Sequence, residues 1–303
     1  MASTLLASNA CVSLADADVQ LLSQRVIPLE QPLDAWPTDP PPGVETSSLE
    51  CRPELERLLR DEPGYAVVDT RLADEGDDVI CSAAWNLFTT LWRPLPQYRT
   101  GELLFPVEVV PNAPGKSLSQ TNASGVLHTD GTVIPEPPDV AALFCLSSAD
   151  AGGETVLVDG EALHESMTLN GDGLIEALFA EHPFDCHGQS SDVDVRWQPT
   201  AKRGDDGHLH LRYLRRYIEE GYEKVGREIP SATHAAFDYV DRFAEAEEHQ
   251  IPVALSRGEL LLFHNHRFLH GRRAFSETRK RRRLRRAYGA WPDPLSRSSP
   301  AHA

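Results

Sequence analysis

The sequence runs to 303 residues with 29 basic and 46 acidic side chains, a formal charge of −17. Its 41% hydrophobic content supplies a full globular core, and its acidity argues against a general affinity for nucleic acid, whose phosphates such a surface repels. The five cysteines, Cys11, Cys51, Cys81, Cys145 and Cys186, are odd in number and scattered without a Cys-x-x-Cys spacing, so neither a disulfide framework nor a thiolate zinc site is expected.

The opening MASTLLASNACVSLADADV carries Asp16 and Asp18, and no Lys or Arg precedes Arg25, so it lacks the cationic start of a secretory leader. No apolar run approaches the ~20 residues of a membrane-crossing helix, and a cytoplasmic location is expected. Residues 1–45 are expected to form an N-terminal extension, in which QPLDAWPTDPPPG (31–43) is an extended, proline-rich connection. One domain is then expected over 46–290. It opens with an amphipathic helix over roughly Leu49–Leu59, a strand over 64–70 (GYAVVDT) and a helix over 76–92. From Leu103 onward the short apolar runs LLFPVEVV, DVAALFCL, TVLVD and ELLLF alternate with Gly, Pro and Asp, the pattern of a strand-rich core. A helical insertion at about 160–250 interrupts it. One of its helices runs from Gly160 to Ala180, broken at NGDG (170–173); another starts from Ser231 as N-cap, with Ala236, Val240 and Phe243 on one face. Residues 291–303 read as a frayed tail.

LHTDG (127–131) sets His128 and Asp130 two apart, so on an extended segment an imidazole and a carboxylate project to the same side and can meet one metal ion. HNHRFLHGR (264–272) offers His264, His266 and His270, all of one parity. All three together would make a zinc-like or cupin-like site; one of them added to His128 and Asp130 makes the two-His-one-carboxylate face that leaves three positions open on Fe(II). His270 alone is followed by GRRAF and the arginine run, and His264 and His266 read as polar structural residues near a strand end. Cys145 in ALFCL reads as a small buried hydrophobe rather than a nucleophile. His208 and His210 fall to the insertion or its surface, and Tyr213, Tyr217 and Tyr222 to packing.

Residues 279–286 read RKRRRLRR, seven basic side chains in eight positions. The run is either a solvated patch for a polyanion or a strand that aims selected arginines inward at a small anion. On a strand, Arg282, Leu284 and Arg286 share one face while Arg281, Arg283 and Arg285 take the other, and only one set can point inward.

In the order LHTDG, PPDVAALFCL, AGGETVLVDG, GELLLFHNHRFLHGRRAF and RRLRRAY, the chain resembles the Fe(II)/2-oxoglutarate-dependent oxygenases of the taurine dioxygenase and clavaminate synthase-like group. The resemblance runs from about GYAVVD to Tyr288. It implies a mostly β fold with flanking helices, a double-stranded β-helix (jelly roll, cupin-like). It further implies His128, Asp130 and His270 as iron ligands, with 2-oxoglutarate and O2 at the remaining positions. Arg282, assisted by Thr155, would grip the distal carboxylate of 2-oxoglutarate, and Arg286 would lie near the co-substrate or meet an acidic group of the substrate. Where relatives usually carry Asp-Asn-Arg before the distal histidine, this chain reads His264-Asn265-His266. Related halogenases carry a small residue in place of the carboxylate, so Asp130 points to hydroxylation.

Residues 117–195 contain 14 acids and no Lys or Arg. Placed at the mouth of the site, they would attract a cation; with Arg286 for a carboxylate, the substrate is expected to be a small zwitterion, an amino acid or a metabolite derived from one. A simple sulfonate or carboxylate is the alternative, and a non-enzymatic jelly-roll binder of a small carboxylate is the other.

Overall fold

Strand Val140–Ser147 is apolar on both faces. Val140, Ala142, Phe144 and Leu146 enter one core and Ala141, Leu143 and Cys145 another, as the two-residue period of an extended chain requires when both faces are covered. In the computed structural model, which describes residues 10–110, 120–190, 193–204 and 207–292, this strand lies inside a seven-stranded sheet. The order is Cys11–Ser13, Tyr65–Asp69, Glu259–His264, Val140–Ser147, Arg283–Ala290 and Arg93–Leu95, with Leu104–Glu108 also paired to Arg283–Ala290. A four-stranded sheet, in the order Gln250–Val253, Thr155–Asp159, Phe268–Arg272 and Gly125–His128, faces it.

The two sheets close on Tyr65, Val67, Leu143, Leu157, Leu261, Phe263, Phe268, Leu284 and Tyr288. Behind the large sheet, helices Arg52–Arg60 and Asp77–Leu91 supply Leu55, Leu58, Trp85 and Phe88 against Ala66, Val68, Phe144 and Leu262. Behind the small sheet, the segment between Asp159 and Gln250 folds into helices Gly160–Asn170, Ile175–Phe179, Arg215–Lys224 and Ser231–Glu245 with two short hairpins. It packs Phe184, Ile218, Phe237 and Val240 against Val156, Val158 and Leu269. This is the double-stranded β-helix with flanking helices. The apolar area in three clusters, at roughly 25 cal/mol per Å², is what holds the layers together.

The elements differ from expectation in detail. The helix expected at 49–59 runs Arg52–Arg60, with Pro53 near its start, where a missing amide costs nothing. Pro230, not Ser231, is the N-cap of the fourth insertion helix, and no side chain caps it. Cys11–Ser13 adds a parallel edge strand beside Tyr65–Asp69, and helix Asp16–Leu22 fixes the segment through buried Asp18, whose carboxylate accepts from the amides of Glu50 and Cys51 at 2.8 and 3.0 Å. The closing strand starts at Arg283, so Arg282 stands just before it.

Candidate metal centre and co-substrate site

His128 and His270 are paired directly across the antiparallel strands Gly125–His128 and Phe268–Arg272, and their rings lie 4.4 Å apart. Asp130 follows in the turn beyond the strand. Its carboxylate oxygens sit 3.7 Å from His128 Nε2 and 3.3 Å from His270 Nε2. One ligand atom of each residue falls within 4.8 Å of the others, and among the described residues this is the set of His, Cys, Asp and Glu with that geometry. His264 and His266 do not join it. His266 Nε2 lies 3.3 Å from Asp139, and its ring stacks on His210 at 4.7 Å, a contact that gives the insertion residue His210 a partner the sequence did not reveal.

The protonation states suit a cation. His128 Nδ1 lies 2.8 Å from the Val126 carbonyl; donating there leaves Nε2 as the lone-pair nitrogen. Burial pushes the His270 imidazole toward its neutral form against the pull of Asp130. Burial alone would raise the Asp130 carboxyl, but Arg286, His270 and His128 together hold it well below the carboxylate range. Oδ2 of Asp130 is buried with no hydrogen-bond partner, an expensive state for a carboxylate oxygen unless a metal meets it. Two imidazole nitrogens and one carboxylate drawn together are the donor set of a mononuclear Fe(II) site.

The turn that carries Asp130 is clamped by a residue the sequence reading passed over. Asn265 accepts from the Asp130 amide at 2.8 Å and donates to the carbonyls of Asp130 and Pro138 at 3.1 and 3.0 Å. Thr129 adds a reciprocal pair with Tyr213, amide to carbonyl at 2.9 Å and amide to hydroxyl at 3.0 Å. The signal for Asn265 was a fully polar amide at the end of the apolar run ELLLF, where a buried amide must find partners.

Arg282 is 5% exposed and forms no ion pair with a described carboxylate. Its Nε donates to the Gly153 carbonyl at 3.2 Å, and the guanidinium lies 5.4 Å from the Phe275 ring. Burial lowers its pKa to about 10. A buried cation that no described carboxylate pairs with directly is costly, and a carboxylate from outside the chain would relieve it. Thr155 is buried, opens its strand and shares the inward parity of Leu157.

Arg286 points the same way and meets the ligand set itself. It donates to Asp130 at 3.2 Å, to Gln97 at 2.8 Å and to the Tyr98 hydroxyl at 3.2 Å, with the Tyr288 ring 4.7 Å away. Burial opposes its charge, yet Tyr288, Asp130 and Tyr98 hold its pKa above the ordinary arginine value. The other parity faces the helices: Arg283 pairs with Asp77 at 2.7 Å and Arg285 with Glu108 at 3.5 Å. Arg279, Lys280 and Arg281 are exposed. Beside Gln97 and Tyr98 opens a cavity of about 390 Å³, also lined by Arg99, Ile134, Glu136 and Gln189. Much of the acidic stretch is spent away from this mouth: Asp139 pairs with His266, Asp159 with Arg267, Glu161 with Arg203 and Asp185 with Lys224. Among the described residues of that stretch, Glu136 is the acid that lines the cavity.

The family described as taurine catabolism dioxygenase TauD, TfdA family matches residues 27–288. FR-33289 synthase of Streptomyces rubellomurinus is 29% identical over 164 residues, 52% of this chain and 45% of that protein. The uridine-5'-phosphate dioxygenase of an Amycolatopsis species is 26% identical over 236 residues, 74% of this chain and 83% of that one. Trimethyllysine dioxygenase of Gallus gallus is 26% identical over 161 residues. The chain thus spans less than half the length of the synthase and of the trimethyllysine enzyme, 45% and 38%. Among solved structures, an asparagine oxygenase in complex with Fe(II), 2S,3S-3-hydroxyasparagine and succinate superposes with a TM-score of 0.68 at 16% identity, covering 93% of both chains. The non-heme iron oxygenase OrfP in complex with Fe and alpha-ketoglutaric acid gives 0.64 at 17% identity over 95% of both. At such identities the likeness is one of fold.

Proposed function

The chain belongs to the taurine catabolism dioxygenase TauD, TfdA family, and from that premise we propose that it is an Fe(II)- and 2-oxoglutarate-dependent oxygenase that hydroxylates a C–H bond of a free amino acid or a small amino-acid-derived metabolite. The observation that carries this reading is the convergence of His128, Asp130 and His270 within 4.8 Å; the burial of Arg282, which no described carboxylate pairs with, supports it. When bound, iron and 2-oxoglutarate supply the oxidising power that places one oxygen atom of O2 in a C–H bond and the other in succinate. The chain's own residues hold and aim. His128 and His270 present Nε2 and Asp130 a carboxylate, three donors on one face. Arg282, with the Thr155 hydroxyl, takes the distal carboxylate of 2-oxoglutarate, for which a guanidinium fork gives a paired, charge-assisted fit. The inward parity that Arg282 and Arg286 share with Leu284, while Arg283 meets Asp77 behind the sheet, supports reading the arginine run as a recognition strand.

The substrate assignment rests on the cavity beside Arg286. Its volume of about 390 Å³ suits a metabolite rather than a polymer, and among the described residues it is lined by one cation, Arg99, and one acid, Glu136. A zwitterion satisfies both, its carboxylate reaching Arg99 and its ammonium Glu136. The proteins named above that act on asparagine and trimethyllysine favour the same class. Asp130 as a third protein ligand favours hydroxylation over halogenation. The described residues contain no helix long and apolar enough to cross a membrane. No disulfide joins the described cysteines, which suits a reducing compartment, and a cytoplasmic location is the one we propose. Succinate release from Fe(II)-loaded protein, assayed across amino acids, their amides, organic acids and sulfonates, tests the assignment. Turnover confined to amine-free compounds would refute the zwitterion, and no succinate with any of them would refute the oxygenase.

A further inference from the structure

Three exposed cations, Arg279, Lys280 and Arg281, stand side by side immediately before the buried Arg282, and their mutual repulsion opposes a fixed loop. One carboxylate oxygen holds it. Oδ2 of Asp150 accepts from the Thr278 amide at 2.7 Å, the Thr278 hydroxyl at 2.9 Å, the Arg279 amide at 2.7 Å and the Lys280 amide at 3.3 Å. The amide of Arg279, then the Thr278 hydroxyl, hold this carboxyl far below the ordinary range, so it stays ionised at any working pH. Glu277 closes the same loop by accepting from the Arg282 amide at 2.7 Å.

Asp150 also begins the turn over which the Arg282 side chain passes. Ala151–Gly152 pairs with Phe275–Ser276. A Cβ on Gly152 would stand 2.2 Å from the Ala274 carbonyl oxygen, and one on Gly153 3.0 Å from Cδ and Nε of Arg282; both glycines have positive φ. The four residues Asp150–Gly153 therefore grip the chain before Arg282 at one end and its guanidinium at the other, through the bond from Nε to the Gly153 carbonyl at 3.2 Å.

We propose that Asp150 is a positioning residue for the co-substrate: by gathering the amides of 278–280 it fixes where Arg282 presents its guanidinium to a carboxylate of 2-oxoglutarate. This rests on the reading of Arg282 given above. Neither half of the arrangement suffices alone, since the basic loop needs a fixed counter-charge and the arginine needs a fixed stem.

Full-length protein carrying Zn(II) in place of iron, which cannot turn over, is titrated calorimetrically with 2-oxoglutarate, and the iron-loaded protein is assayed in parallel. Asp150→Ala is expected to weaken 2-oxoglutarate by at least about tenfold and to raise its KM equally, leaving metal affinity and kcat at saturating co-substrate within about twofold. Asp150→Asn keeps the shape with a weaker acceptor and is expected to give about threefold; it carries the test should the alanine variant fail to fold. Affinity for 2-oxoglutarate within twofold of the parent in the folded variants overturns the proposal, and so does a parallel fall in metal affinity and kcat. Arg282→Gln is the control. If it binds 2-oxoglutarate as the parent does, the assignment of Arg282 falls; if it fails while the Asp150 variants bind normally, the positioning role alone falls.

Discussion

At the scale of single residues the centre divides into the three groups proposed to meet a metal and the groups that hold those three in place. Replacing His128, Asp130 or His270 by alanine removes one of three donors and is expected to abolish turnover while the three apolar clusters, which these side chains do not build, keep the fold. His266→Ala is expected to retain turnover, because His266 pairs with Asp139 rather than with the triad; a dead His266 variant with a normal circular dichroism spectrum would contradict the ligand set. Asn265 tests the second group. Its amide closes three hydrogen bonds around the Asp130 turn. Asn265→Ala strands buried donors and acceptors, at about 1–3 kcal/mol, and frees the carboxylate. Metal affinity is expected to fall about 10- to 100-fold, the usual loss when the support of a ligand is removed, read by titration with Mn(II). Affinity equal to the parent's would show that the turn holds itself. The contrast marks the limit of sequence reading here. His-x-Asp alone is common, and it became legible with His270 only through the joint order of the motifs that carry the family resemblance, whereas an asparagine that bonds only to backbone has a partner no spacing reveals.

At the scale of elements the closing strand is the informative one. Its alternation was legible, since parity follows from extended geometry and the apolar Leu284 marks the inward side; its start was not, because Arg282 leaves the ladder for the bond to Gly153. Alternation predicts unequal neighbours. Arg282→Ala is expected to weaken 2-oxoglutarate by about 2–5 kcal/mol, the cost of truncating one partner of a desolvated pair. Arg283→Ala removes a pair with Asp77 whose side chains are 35% and 25% exposed, is expected to cost at most about 1 kcal/mol of stability, and leaves co-substrate affinity alone. Equal effects on the 2-oxoglutarate KM would dismiss the strand reading. The same element carries Gly289, where a Cβ would stand 2.7 Å from the Phe88 ring and 2.9 Å from Trp92 Cβ. Gly289→Ala should therefore cost about 1–3 kcal/mol by overpacking, seen as a lower urea midpoint. The alternation of His208 and His210 marks a strand, and Leu209–Leu211 is one, but its partner Ala201–Arg203 and the hairpin Glu181–Asp185/Val195–Pro199 stayed invisible in the sequence: strands this short hold too few alternations to stand out, and their place is set by the helices they pack on.

At the scale of the whole molecule the layers were legible and the wiring between them was not. Continuous apolar runs announced strands covered on both faces, but nothing in a run says that Gly125–His128 ends up beside Phe268–Arg272, the pairing that brings two histidines to one point. The interior that results is dry enough to govern how stability varies with pH. His182 sits in the insertion with its Nε2 2.7 Å from the Ala177 carbonyl and its Nδ1 3.0 Å from the Tyr222 hydroxyl, an arrangement that suits the neutral ring as donor at one nitrogen and acceptor at the other. Burial lowers its pKa, and burial likewise lowers that of His266 against the pull of Asp139. A histidine whose pKa is lower in the folded state binds fewer protons there than in the unfolded chain, so its contribution is complete above the unfolded value of about 6.5. As pH falls through that value the unfolded chain takes up protons the folded one refuses, and stability drops until the folded value is reached. Urea unfolding is therefore expected to give a lower midpoint at about pH 5.5 than at about pH 7.5, with each histidine contributing at most about 1.4 kcal/mol per pH unit. His182→Gln, whose amide can still donate to Ala177 but cannot titrate in this range, is expected to flatten the dependence. A variant whose midpoint falls as steeply as the parent's would place the proton uptake elsewhere.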